Sequence, residues 1–156
     1  MKKLILIVSL VLAVSSLLVG CSQPVATTTP APYEVIFTKW VTGAGTAPVL
    51  FNMAGVVSGD VGPGLFVGEI LERSGTATTA NITALYHING GTRQFTARLS
   101  IVMVNGTAGI NGVVTDGWMK DASVSGNYQR IAPSGIINTA NGTGAAFQGM
   151  LNIQSP

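Results

Sequence analysis

From Tyr33 onward, apolar and polar residues alternate in short runs separated by clusters of Gly, Asn and Pro, as in strands joined by turns. The alternation is clearest in two stretches. Within Thr92–Val104, Phe95, Ala97, Leu99, Ile101 and Met103 share one face, and Gln94, Thr96, Arg98 and Ser100 share the other. Within Thr79–Asn89, Ile82, Ala84, Tyr86 and Ile88 oppose Asn81, Thr83, Leu85 and His87. Such a pattern marks an antiparallel sheet with one wet face. The other runs predicted as strands are Tyr33–Val41, Pro48–Gly59, Gly64–Arg73, Ala108–Thr115, Trp118–Ile131 and Ala145–Gln154, eight in all. No window sustains an apolar stripe of helical period over three turns, so no long helix is expected.

Asn89-Gly90-Gly91 and Asn105-Gly106 supply the positive φ angles of tight hairpins, and Gly62-Pro63-Gly64 makes another sharp reversal. Short links between consecutive strands favour an up-and-down meander, and closing it removes exposed edges. The expected fold class is therefore all-β: an eight-stranded antiparallel, calycin-like barrel, with a two-sheet β-sandwich as the alternative. Closure requires Phe147–Ile153 to pair with Tyr33–Trp40. Glycines within the runs (Gly55, Gly68, Gly112, Gly126, Gly149) suit the bends of a tightly curved sheet. A barrel of this size is either filled by side chains or holds one small ligand. The apolar bands and aromatic girdles of an outer-membrane barrel are missing, and the domain reads as soluble.

The N-terminal pattern is of another kind. Met1-Lys2-Lys3 is followed by an apolar run from Leu4 to Val19, broken only by Ser9, Ser15 and Ser16. That run is short for a membrane-spanning helix, which needs about 20 apolar residues, and it has the shape of a secretory signal. Leu18-Val19-Gly20-Cys21 directly after it resembles the lipobox of bacterial lipoproteins. The resemblance implies cleavage before Cys21 and lipid attachment at that cysteine. It also explains the lone cysteine, which has no internal disulfide partner. Two or three acyl chains anchor firmly, since each buried CH₂ contributes about 0.8 kcal/mol. Ser22 rather than Asp after the cysteine implies the outer membrane in a two-membrane bacterium. In a single-membrane cell the domain would sit on the outer face of the cytoplasmic membrane. The uncharged stretch SQPVATTTPAP, next along the chain, reads as an extended tether. The expected organisation is a signal peptide over 1–20, a lipidated Cys21 and tether over 21–32, and a barrel over 33–156.

Composition narrows the function classes. Beyond Lys2 and Lys3 the chain carries six basic and six acidic residues with no cluster of either. Nucleic-acid binding, which relies on neutralising phosphates, is thereby excluded as a reading. One histidine and no free thiol in the mature chain leave no basis for a metal site, and no cofactor is expected. The partners read from the sequence are the membrane, through the lipid, and a small hydrophobic ligand.

The segment GINGVVTDGWMKDASVSGNYQRI (Gly109–Ile131), with the later FQGMLNI (Phe147–Ile153), is similar in style to the C-terminal half of allene oxide cyclase and dirigent barrels. The likeness rests on glycine and apolar positions. It implies the barrel fold, and no catalytic residue of those enzymes is carried over.

Few residues suggest chemistry. On the third run, Glu69 falls inward if Leu65, Val67 and Leu71 do, and outward if Phe66, Gly68 and Ile70 take the core. An inward carboxyl would have a raised pKa suited to proton transfer. Asp116 and Trp118, with Lys120 and Asp121, cluster at a turn near the barrel rim, where ligands often bind. His87 falls on the polar face of its run. Asn81, Asn105 and Asn141 begin Asn-x-Thr triplets, which behind a bacterial lipobox read as turn chemistry. The expected function is thus a lipid-anchored cell-envelope barrel with a non-catalytic binding or structural role. The alternative is a cyclase- or isomerase-like barrel acting on a small hydrophobic substrate. An interior cavity would favour a ligand or substrate, and a filled core a structural module.

Overall fold

The computed structural model describes residues 30–132 and 145–156. The signal segment, Cys21, most of the tether and the Asn141 triplet lie outside the described residues. Eight strands succeed one another: β1 (Tyr33–Ala44), β2 (Phe51–Gly59), β3 (Gly64–Gly75), β4 (Thr79–Gly90), β5 (Gln94–Val104), β6 (Thr107–Gly117), β7 (Ser123–Ile131) and β8 (Ala146–Gln154). They form one closed antiparallel barrel in chain order. Closure runs from Tyr33 opposite Ile153 to Trp40 opposite Ala146, as the barrel reading requires, and the sandwich alternative falls.

Two strand starts differ from expectation by more than two residues. β2 begins at Phe51 rather than Pro48, because residues 46–50 turn back on themselves, Val49 N donating to Thr46 O at 2.9 Å. Proline has no N–H to give a ladder there. β7 begins at Ser123 rather than Trp118. Met119 (φ 59°) and Asp121 (φ 70°) adopt left-handed backbone in the β6–β7 turn, which cannot continue a strand.

The inward rows contain Val35, Phe37, Phe66, Tyr86, Ile88, Leu99, Ile101, Ile110, Leu151 and Ile153, all buried. Two glycines show why the sheet can curl so tightly. A Cβ on Gly55 would collide with the Thr38 carbonyl oxygen, and one on Gly126 with that of Met150. Neighbouring backbones approach too closely there for any side chain.

The register slips at three bulges, each of which re-aims the side chains beyond it. One lies between Ile70 and Glu72: Ile70 faces Ala84, but Arg73 then faces Ile82, so Arg73 joins the inward row. A second, between Val41 and Gly43, bends the end of β1. The third leaves Thr115 unpaired and sets Asp116 opposite the outward Thr96.

The two ends of the barrel differ. At one end the β2–β3, β4–β5 and β6–β7 turns fold over the core. Val61 and Ala122 are fully buried there, and Tyr33 packs edge-on against Trp118 with centroids 4.9 Å apart. The Arg93 guanidinium lies 4.7 Å from the Tyr33 ring and 4.6 Å from the Trp118 ring. The same side chain donates to Asp60 O at 2.6 Å. Both termini of the barrel reach this sealed end, where Gln154 Nε2 donates to Pro30 O at 3.1 Å. The opposite end, beyond the middle of β1, holds a cavity.

Candidate functional site

Lys39 sits on β1 between Gly55 of β2 and Phe147 of β8. It continues the inward row of Val35 and Phe37 and is 1% exposed, the buried charged side chain among the described residues. Lysine is almost never fully buried without a partner. Its partners here are aromatic. Nζ lies 4.0 Å from the Tyr128 ring centroid and 4.3 Å from that of Tyr86. Phe37, Phe66 and Phe147 complete the cage at 5.3 to 5.8 Å. Nζ donates a hydrogen bond to the Tyr86 hydroxyl. Among the described residues no carboxylate pairs with it.

The cage is rigid because its rings brace one another. Phe66 stacks on Phe37 at 5.6 Å and meets Tyr86 edge-on at 4.7 Å. Tyr128 meets Phe147 at 5.2 Å, also edge-on. Such geometries favour aromatic packing beyond the area buried.

Burial governs the electrostatics. Removed from water with no acid beside it, the Lys39 amine titrates well below the ordinary lysine range. Burial, and then the neighbouring Tyr128, push Tyr86 well above the ordinary tyrosine range. Burial likewise pushes Tyr128 up to about 12, against the lowering effect of Arg73. Ring faces attract a cation, but they offset only part of the loss of water.

Beyond the amine lies a cavity of about 240 Å³. Val41, Phe51, Met53, Ile70, Ile82, Met103 and Phe147 line it, with Lys39, Tyr128 and Arg73 as its polar groups. Buried side chains thus crowd the sealed end, and this cavity lies towards the other. Chemically, it is an apolar space with the buried Lys39 side chain in its wall. Larger depressions of about 570 and 540 Å³ lie at the outer face beside His87 and Asp116 and at the rim beside Asn105 and Arg130.

The residues singled out in the sequence fall elsewhere. Phe66, Gly68 and Ile70 take the inward row of β3, so the inward alternative for Glu69 fails and its carboxylate lies on the outer face. There Glu69 Oε1 is 3.9 Å from His87 Nε2, with each side chain about one-third exposed. That spacing is too long for a hydrogen bond, and exposed pairs contribute about 0–1 kcal/mol. His87 Nδ1 and Thr96 Oγ1 are 3.0 Å apart. Asp116 shares the His87 groove. Trp118 packs into the sealed end. The structure thus brings His87 near both Glu69 and Asp116 and leaves Trp118 apart. None of the four lines the Lys39 cavity.

Sequence reasoning missed Lys39, Tyr128 and Arg73. The parity of Val35, Phe37 and Lys39 carried the signal for the first. Arg73 owes its place to a bulge that the pattern does not announce. Compared with known proteins, the chain matches no family model, no curated protein and no solved structure.

Proposed function

We propose that the protein is a lipid-anchored lipoprotein of the bacterial cell envelope whose barrel binds one small hydrophobic ligand in the Lys39 cavity. The observation that carries the binding half is that cavity: about 240 Å³, walled by aliphatic and aromatic side chains around few polar groups. Pockets that hold small molecules have this composition. The anchoring half is supported by Leu18-Val19-Gly20-Cys21 behind a basic n-region and an apolar run. At about 30 Å³ per small heavy-atom group, the space takes a ligand of roughly eight non-hydrogen atoms. Contacts on that scale support dissociation constants between roughly millimolar and micromolar.

Native mass spectrometry of the detergent-solubilised chain, with and without Ile82→Trp, tests the binding half. The indole would occupy the cavity, and a small co-purified or added hydrophobic ligand should be retained by the parent and lost from the variant. Equal retention by both would refute the assignment of the site. Cys21→Ser should abolish partitioning into detergent. A variant that still partitions as a mature-sized band would refute the anchor.

A further inference from the structure

We infer that Lys39 is a nucleophilic amine and that the ligand class of the cavity is the small hydrophobic aldehyde or ketone, held as an imine on Nζ. The inference rests on the cavity-binding reading and deepens it. Three features of the geometry lead to it. The side chain forms part of the cavity wall while being 1% exposed. Nζ is hydrogen-bonded to the Tyr86 hydroxyl, which fixes the position of the amine. No acidic side chain among the described residues pairs with it to hold a proton there.

Size adds to the argument. Contacts alone hold a ligand of roughly eight non-hydrogen atoms at roughly millimolar to micromolar, and a reversible covalent bond would add to them. An ammonium in the same position would instead select a carboxylate, but desolvation among five rings disfavours the charged form of the amine. Covalent capture needs an uncharged nitrogen, and a buried lysine provides one.

The chemistry balances without a further reagent. The Nζ lone pair adds to the carbonyl carbon, forming a C–N bond as the C=O π pair moves onto oxygen. That oxygen takes up the proton the nitrogen releases, giving a carbinolamine. The nitrogen lone pair then forms C=N as the hydroxyl leaves with the second nitrogen proton, as one water. The Tyr128 hydroxyl, on the cavity wall and protonated up to about pH 12, can hydrogen-bond the carbonyl oxygen during addition.

The test treats the full chain in detergent with hexanal and cyanoborohydride at pH 7, and then reads intact mass and a peptide map. Hydride reduces the imine and makes the adduct permanent. Exposed Lys120 is the internal reference, a lysine outside the cavity. Of the two lysines of the barrel, we expect Lys39 to take up the hexyl group at least about tenfold faster than Lys120, with that adduct absent from Lys39→Met. Labelling of Lys120 as fast as Lys39 in the parent chain would overturn the inference, and this comparison does not depend on any variant folding. Thermal shifts with 1-hexanol and hexanoate separate the possible failures. Stabilisation by 1-hexanol without a Lys39 adduct would overturn the imine and leave the cavity-binding reading standing. Stabilisation by hexanoate alone, again without the adduct, would overturn it in favour of an ammonium that pairs with carboxylates. No adduct and no shift with any of the three would overturn both readings together.

Discussion

The two halves of the barrel interior are built from one repeating pattern and do opposite things. Towards the sealed end, Val35, Val61, Ile88, Leu151 and Ile153 are fully buried, and Trp118 and Tyr33 pack together over them. Towards the other end the same inward rows supply Lys39, Tyr128 and Arg73 around an unfilled volume. The filled half removes apolar area from water, worth about 25 cal/mol per Å². The hollow half gives up that gain and buries an amine besides. The difference teaches that stability and chemistry are segregated along the barrel axis, so a substitution can alter one with little effect on the other.

The comparison breaks most sharply at the closure. Leu151 is fully buried on β8, opposite Val35. Leu151→Ala should lower stability by about 2–5 kcal/mol, read from chemical denaturation, while hexanal labelling at Lys39 persists under native conditions. A loss below about 1 kcal/mol would mean that the filled half is looser than its packing indicates.

In the hollow half the sign should reverse. Replacing both partners of a buried polar pair by apolar residues of similar shape is neutral or stabilising. Lys39→Met combined with Tyr86→Phe should therefore raise stability by about 1–3 kcal/mol at pH 7 while abolishing the adduct. A destabilised double variant would show that the pair holds the cage together.

The pH dependence sharpens the same contrast. In the folded chain Lys39 loses its proton well below 10.5, whereas the unfolded chain keeps it until about that value. Between these limits the unfolded state binds more protons, so stability rises with pH and falls as the solution is acidified through the folded value. Tyr128 has the opposite sign. Its contribution is complete below 10.0 and disappears as pH rises through about 12. Denaturation midpoints of the parent should climb from neutrality towards pH 10, and Lys39→Met should flatten that climb. A parent profile already flat there would place the Lys39 titration near the ordinary value.

The smallest expected effect lies on the outer surface. Glu69→Gln removes an exposed partner of His87 and should change stability by no more than about 0.5 kcal/mol. It should leave hexanal labelling unchanged. A larger loss would point to a network on the outer face that the 3.9 Å separation does not indicate.

The fold was largely legible because one alternation governs it. Phe95 to Met103 and Ile82 to Ile88 declared their faces outright, and the turn glycines placed the reversals. Glu69 was ambiguous because apolar residues occupy both parities of β3, and only packing of Phe66 and Ile70 decides between them. Asp116 and Arg73 could not be read, since each lies just past a bulge that flips its side. Lys39 was legible in principle by parity with Phe37. The ordinary preference of lysine for water argues against an inward reading, and the cavity that makes sense of one is a property of the closed barrel.

The meeting of β1 with β8 also gives the molecule a polarity. Tyr33 enters at the sealed end beside Gln154, and Lys39 lies six residues further along β1, roughly 20 Å of strand at about 3.3 Å per residue. The first and last strands therefore meet the outside at the closed base, and Lys39 lies towards the opposite rim. Entry to the cavity and the ends of the barrel are thus kept on opposite sides of the fold, so that what reaches the one need not pass the other.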